Sequence, residues 1–318
     1  MKGKEPSVVV VGAGGMGALF GSILQEGGLP VTMIDTNAEH VAAMQEGGLR
    51  ISGFGGARTL PVKVFEDASG IDHADIILFQ CKSHGTRAGA EGVRHLVKNG
   101  AVCVSFQNGL GNEEVIGEVV GAENVLGGLT AMAAVMEGPG HIRDFSRVPS
   151  HVGEIGGGKS QRAARVARAL TAAGLETHVS ENVIRDIWKK LLGNVAMSAA
   201  SGATDMTSVE VLSVPELRAT AFRALDEALA VAAAVGIELA RDAAVRGLKM
   251  ITEPGGTGDN KSSLCVDLLN RRPTEVEFIY GTVIDLGQRN DVPTPTLETL
   301  AAIVKGLEAR NRKRLGDA

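Results

Sequence analysis

The sequence predicts an α/β protein in two parts, an N-terminal doubly wound parallel sheet followed by a C-terminal all-helical domain. Three observations carry this expectation. The run Val8-Val9-Val10-Val11 is short, β-branched and stopped by Gly12, the pattern of a strand buried on both faces. Apolar strand-like runs then alternate with helical stretches, as a parallel sheet with crossover helices requires. From about residue 182 the strand-like runs mostly stop and long helical periodicity takes over. The domains are therefore drawn at 1–181 and 182–318.

The elements follow in order. After the first strand, Gly12-Ala13-Gly14-Gly15-Met16-Gly17 reads as a turn, and residues 18–25 have helix-compatible apolar spacing up to a Gly27-Gly28 stop. Val31 to Ile34 reads as a second strand ending at Asp35. Further strands are expected at 75–80, 102–106 and 124–126, with helices at 86–98 and 112–120. The segment 132–152 contains Gly138-Pro139-Gly140 and reads as a hairpin addition rather than another crossover. A helix at 161–173 and a last strand near 176–179 complete the first part. The stretches 183–200, 214–235 and 294–312 are helical in period, and their alanine-rich segments suit close helix packing. Residues 253–259 read as a mobile glycine-rich loop, and the basic stretch 310–314 as a solvated helix end.

Composition narrows the function. The 318 residues carry 32 Lys plus Arg against 37 Asp plus Glu, a net charge of −5, so there is no basic surplus for a nucleic acid partner. An apolar fraction of 44% with 22% charged residues is that of a globular protein rather than a disordered one. The longest apolar candidate, residues 228–237, is too short to span a bilayer, and the N-terminal region lacks a secretory pattern. A cytoplasmic location without membrane attachment is expected. Cys81, Cys103 and Cys265 are far apart and read as buried free thiols. The seven histidines show no paired ligand spacing, so no metal is expected.

Glycine is 42 of 318 residues, so a G-x-G-x-x-G pattern arises by chance roughly 0.7 times in this chain and means little alone. The flanking strands supply the context. Gly12 permits a tight turn, Gly14 lets the backbone approach a pyrophosphate, and Gly17 lets the helix pack close, with phosphates meeting the helix N-terminus. Asp35, at the end of the second strand, suits the ribose hydroxyls of NAD and would repel a 2′-phosphate; Thr36-Asn37-Ala38-Glu39-His40 offers no Arg or Lys to bind one. An acid ending a strand without a ligand is the alternative. Lys82 and Asn108 follow predicted strand ends, where open parallel sheets bind ligands, although each also suits an ordinary turn.

In the second part, Lys190 and Asn194 are four apart and share a helix face beside an apolar stripe of Ile187, Leu191, Val195 and Ala199. A lysine there can have a depressed pKa and act as a general acid, or simply snorkel to solvent. Asn260-Lys261-Ser262-Ser263 and Pro273-Thr274-Glu275 place further polar groups next to apolar segments, and Glu275 can orient the lysine or a ribose, or be a solvated helix-start acid.

Taken together, the order GAGGMG, CKS, QNG, WKKLLGN, NKSSL and RRPTEVEFIYG resembles the ketopantoate reductase (2-dehydropantoate 2-reductase) family over nearly the whole chain. SS…RPTE is the most specific element and W-x-K-L-x-x-N the next. The resemblance implies a Rossmann domain joined to a helical domain, with the active site in the cleft between them. It implies that Lys190 protonates the 2-oxo oxygen while a nicotinamide delivers hydride to C2. Asn108 would sit near nicotinamide and substrate, Asn194 would hold the substrate, and Ser263, with Asn260 nearby, would bind its carboxylate or hydroxyl. Glu275 would contact the cofactor and position the lysine. Lys82 and Ala134 would line the cofactor beside Gly12, Ala13, Gly14, Gly15, Met16 and Gly17.

Two positions depart from the family pattern. NADPH is the family default, and members commonly carry Arg or another phosphate-friendly residue where this chain has Asp35. Ser198, counted with the substrate-binding set, stands where family members have a second Asn, and serine cannot offer both an amide donor and a carbonyl acceptor. The expected function is hydride transfer between NAD(P)H and a small 2-oxo acid, with ketopantoate as leading substrate and pantothenate biosynthesis as context. The alternative is an NAD-dependent dehydrogenase of a different hydroxy acid. A non-catalytic dinucleotide sensor is a third reading, disfavoured because a sensor has no need of a general acid. A homodimer is compatible with the sequence, although no residue pattern shows one.

Overall fold

The computed structural model describes residues 5–253 and 258–316, so residues 254–257 of the glycine-rich loop lie outside the described residues. The chain divides into two compact units, Met1–Gln107 with Asn112–Ile184, and Asn108–Gly111 with Arg185–Ala318.

In the first unit, β1 (Val8–Val11), α1 (Gly15–Glu26), β2 (Val31–Ile34), α2 (Ala38–Gly47), β3 (Leu49–Gly53), β4 (Arg58–Leu60), β5 (Val64–Phe65) and β6 (Ile76–Phe79) come first. They are followed by α3 (Thr86–Lys98), β7 (Val102–Ser105), α4 (Asn112–Val120), β8 (Val125–Leu129), β9 (Ala133–Gly138), β10 (His141–Ser146), β11 (Ser150–Gly153), α5 (Gln161–Ala172) and β12 (Thr177–Val179). The main sheet has eight strands in the order β12-β11-β8-β7-β6-β1-β2-β5. Its centre is parallel, with β1 between β2 and β6. The doubly wound parallel sheet expected from the sequence is therefore present.

The valine run explains β1. Val8 and Val10 enter the core on one face and Val9 and Val11 the core on the other, so period-two alternation buries all four side chains. Each contributes about 1.5–3 kcal/mol of burial, which is why no polar residue interrupts the run. Helix α1 is buried along Gly17 to Leu24 and ends where the Gly27 N–H returns to the Ile23 carbonyl.

The segment 132–152 is more than a hairpin on this sheet. Strands β9 and β10 pair antiparallel, but β10 also runs parallel to β3, and with β4 these form a second sheet in the order β4-β3-β10-β9. Strand β11 then rejoins the main sheet antiparallel to β8. Helix α2 and strands β3 to β5 fall where the sequence reading assigned no element. Leu49 and Ile51 alternate inward with Arg50 outward over only a few residues, too short a signal to stand out.

The second unit is largely helical. Helix α6 (Val183–Thr204) leads into it, followed by α7 (Ser208–Ser213), α8 (Pro215–Ala234), α9 (Arg241–Thr252), α10 (Ser263–Leu269), α11 (Thr282–Arg289) and α12 (Pro295–Leu315). A π-helical turn, Glu277–Gly281, runs directly into α11. No helix among the described residues is long and apolar enough to cross a membrane.

Candidate active site

The strand order of the main sheet reverses beside β1, because the chain runs from β1 to β2 on one side and later returns with β6 on the other. In an open α/β sheet, ligands bind outside the carboxyl strand ends at such a reversal. The glycine turn leaves β1 there. Gly12 has φ +91°, a left-handed conformation, and a Cβ on it would strike the Cys81 backbone just past β6. A Cβ on Gly17 would strike the Gly12 carbonyl, so glycine there lets α1 press against the turn. At Gly15 a Cβ would meet the Ala134 carbonyl at 2.8 Å and Val135 Cα at 2.9 Å, so β9 lies directly over the start of α1. At Gly14 a Cβ would meet nothing within 4 Å, leaving that side of the turn open. Such a cradle fits the pyrophosphate of a dinucleotide.

The remaining first-unit candidates flank this edge. Asp35 follows β2 half-buried; its Oδ1 accepts the Asn37 N–H at 2.9 Å, which folds the chain into α2. Lys82 is half-buried beyond β6, in extended backbone before the 3-10 turn Ser83–Gly85. Ala134 is half-buried in β9. Met16 packs partly buried against the core. Residues to which the sequence reading gave no role brace the next strand end. Gln107 Nε2 donates to the Cys81 carbonyl at 2.8 Å and to Thr86 Oγ1 at 2.7 Å. Thr86 Oγ1 donates in turn to Asn112 Oδ1 at 3.0 Å. One buried hydroxyl thereby ties Gln107 to Asn112, the residues bracketing the loop 108–111.

That loop groups with the second unit, and its Asn108 sits among the other candidates. Lys190 Nζ donates to Asn108 Oδ1 at 2.8 Å, and Asn108 Nδ2 donates to Glu275 Oε2 at 3.4 Å. The amide thus links an ammonium at its oxygen and a carboxylate at its nitrogen. Glu275 is buried and Lys190 half-buried. Desolvation by burial brings the Lys190 ammonium down to about 8, against the opposing pull of the Glu275 carboxylate. The loop is held for this purpose by its backbone: Gly109, at φ +88°, lies too close to the Phe278 carbonyl for any Cβ, and the Leu110 N–H donates to that carbonyl at 2.8 Å. Phe278 belongs to the π-helical turn two residues beyond Val276, so the same irregularity shapes both loop and Glu275 neighbourhood.

On α6, Asn194 lies one turn beyond Lys190, half-buried, and Ser198 one further turn on, buried. One position beyond each, the Tyr280 hydroxyl accepts the Ala199 N–H and donates to the Val195 carbonyl, both at 3.0 Å. These are the two groups a regular helix pairs with each other, so a buried phenol is inserted into the α6 ladder beside Asn194 and Ser198. Burial pushes the Tyr280 hydroxyl up from its usual value. The sequence reading did not single out Tyr280. Ser262 was named in its motif without a role of its own: this residue, rather than its exposed neighbour Ser263, caps α10 by accepting the Cys265 N–H at 3.1 Å, and its hydroxyl lies 3.4 Å from the Ser198 carbonyl. Asn260 is exposed just ahead of them. No cluster of metal-ligating side chains occurs among the described residues. Cys81, Cys103 and Cys265 are free thiols; Cys103 and Cys265 are buried, whereas Cys81 is half-buried.

Comparison with known proteins bears on both units. Residues 8–157 match the family described as ketopantoate reductase PanE/ApbA, and residues 182–308 match its C-terminal region. The chain belongs to the ketopantoate reductase family. It is 32% identical to a 2-dehydropantoate 2-reductase of Halobacterium salinarum over 94% of this chain and 97% of that protein. It is also 32% identical to a 2-dehydropantoate 2-reductase of Pyrococcus abyssi, over 96% and 99% of the two chains. Among solved structures, D-mandelate dehydrogenase with NADH and anilino(oxo)acetate is similar at TM-score 0.92 and 27% identity, covering 96% of this chain and 99% of that one. A PanE/ApbA family ketopantoate reductase from Ralstonia eutropha is similar at TM-score 0.87 and 27% identity, with the same coverage. The chain is thus an NAD(P)-dependent oxidoreductase of the ketopantoate reductase type.

Proposed function

We propose that the chain reduces a small 2-oxo acid, with ketopantoate the first candidate, using Lys190 as the proton donor. The observation that carries this reading is the Lys190–Asn108–Glu275 chain of hydrogen bonds around an ammonium lowered to about 8. A dinucleotide held by its pyrophosphate at the glycine turn would supply the hydride for the carbonyl carbon. As negative charge develops on the substrate oxygen, the Lys190 ammonium stabilises it and passes a proton to it. Asn108 holds Nζ at one end while Glu275 fixes the amide's other end and keeps positive charge on the lysine. Gly12, Ala13, Gly14, Gly15, Met16 and Gly17 would cradle the pyrophosphate, with Lys82 and Ala134 lining the cofactor. Asn194, Ser198, Asn260 and Ser263 would hold the substrate's carboxylate and hydroxyl groups.

Asp35 favours NAD over NADP, because its carboxylate accepts ribose hydroxyls and repels a 2′-phosphate. That residue, together with likeness to a D-mandelate dehydrogenase solved with NADH, supports a second reading: an NAD-linked dehydrogenase of another 2-hydroxy acid. The deciding experiment titrates the purified protein with NADH and NADPH separately, then measures ketopantoate turnover with the tighter one. Fast ketopantoate reduction supports the first reading. Tight NADH binding with poor ketopantoate turnover, and faster oxidation of another hydroxy acid by NAD, supports the second.

A further inference from the structure

His40 is fully buried in α2 and reaches backbone on both sides. Its Nδ1 accepts the Gly140 N–H at 3.0 Å, and its Nε2 lies 2.9 Å from the Ala13 carbonyl. A backbone N–H can only donate and a carbonyl can only accept, so these partners define the ring: neutral, with the proton on Nε2. One partner lies in the glycine turn and the other in the β9–β10 turn. Gly140 is itself left-handed at φ +64°, and its Cβ position lies 3.1 Å from Ala43 on the same helix as His40.

The Ala13–Gly14 peptide is planar and trans, so its C=O and N–H point in opposite directions. Holding the Ala13 carbonyl toward His40 therefore turns the Gly14 N–H away from it. Gly14 is the residue whose Cβ position opens on free space, the side left for a ligand. We propose that His40 is a positioning residue for the cofactor: its Nε2–H fixes the Ala13–Gly14 peptide plane so that the Gly14 N–H is presented to the dinucleotide pyrophosphate. The inference rests on the reading that this turn holds NAD(P). The hydrogen bond to Gly140 has a separate task, anchoring the β9–β10 hairpin over the start of α1.

Three substitutions separate the two contacts. His40→Gln carries an amide N–H to the place of Nε2 but leaves the Gly140 N–H without its acceptor; His40→Asn supplies an acceptor near the place of Nδ1 but falls short of Ala13; His40→Phe removes both. Calorimetric titration with NADH and NADPH gives affinity, thermal melting gives stability, and steady-state rates at saturating cofactor give kcat. We expect His40→Gln to bind the preferred dinucleotide within about threefold of the unsubstituted protein although it melts earlier. His40→Asn and His40→Phe should bind about tenfold or more weakly, with kcat at saturation preserved within about twofold. Affinity that follows melting temperature across the series, or His40→Asn binding as tightly as His40→Gln, overturns the assignment. Unsubstituted protein that binds neither dinucleotide overturns the cofactor reading itself, and so distinguishes that failure from this one.

Discussion

Lys190 and Asn108 lie 82 positions apart in the chain, yet the lysine ammonium donates to the asparagine carbonyl at 2.8 Å. The contact gives a lysine in a low-dielectric setting one fixed acceptor, and the amide's other end is committed to Glu275. In the proposed reaction an ammonium held this way is aimed before a substrate arrives. Replacing Lys190 by Ala is expected to lower kcat for 2-oxo acid reduction about a hundred- to ten-thousand-fold while dinucleotide affinity stays near that of the unsubstituted protein. Turnover within about tenfold of normal would remove the proton-donor role.

The pH dependence has a defined sign. In the proposed reaction the protonated lysine is the donor for reduction, so the rate should fall as pH rises through about 8. Oxidation of the hydroxy acid needs the neutral amine and should rise over the same interval. Glu275 opposes the depression of the lysine, so Glu275→Gln, which keeps an acceptor for Asn108 Nδ2 and drops the charge, should move both limbs to lower pH. Rate profiles in each direction check this; limbs that stay in place would detach Glu275 from the lysine's charge.

At Asp35, Asp35→Asn preserves an oxygen for the Asn37 N–H while removing the charge proposed to repel a 2′-phosphate. The ratio of NADPH to NADH affinity should rise about tenfold, equivalent to about 1.4 kcal/mol. Parallel titrations with the two dinucleotides measure it, and an unchanged ratio would mean that the carboxylate does not face the ribose.

How far these residues could be read in advance depended on the range of the interaction. Strands β1 and β2 are legible because unbroken β-branched runs end at a glycine and an aspartate within a few residues. The second sheet is not, since β3 pairs with β10, some ninety positions away, and neither strand is long enough to show alternation by itself. Lys190, Asn108 and Glu275 were each recognisable by residue type and by resemblance to the family, but their hydrogen-bonded chain is a product of tertiary structure. Tyr280 and His40 left no sequence signal: a lone tyrosine in an apolar stretch and a lone histidine after a turn are ordinary until their backbone partners are known.

Tyr280 supplies its own test. Tyr280→Phe keeps the ring and deletes only the hydroxyl that serves Ala199 and Val195, leaving buried backbone groups to re-pair or go unsatisfied. A loss of about 1–3 kcal/mol in stability is expected. Because the inserted hydroxyl braces the α6 backbone next to Asn194 and Ser198, the proposed substrate-holding residues, KM for the 2-oxo acid should rise while dinucleotide affinity holds. Denaturant melts and a KM comparison decide it; a stability loss without change in KM would confine the tyrosine to helix architecture.

Glu113 is a buried carboxyl at the start of α4 whose ionisation burial pushes up to about 8, against a hydrogen bond from Ser105. In the unfolded chain the same group ionises near its ordinary value of 4.5. The folded protein therefore retains a proton that the unfolded chain has released, and the stability this contributes is complete below 4.5 and lost progressively as pH rises to about 8. One proton corresponds to a slope of about 1.4 kcal/mol per pH unit over that interval. Glu113→Gln cannot ionise and lacks this dependence, so the variant should gain on the unsubstituted protein steadily between about pH 5 and 8, with other titrating groups cancelling in the comparison. Melting curves of the two proteins taken side by side across that range measure the difference. A constant offset would mean that Glu113 is already ionised in the folded state, which its burial beside Glu114 argues against.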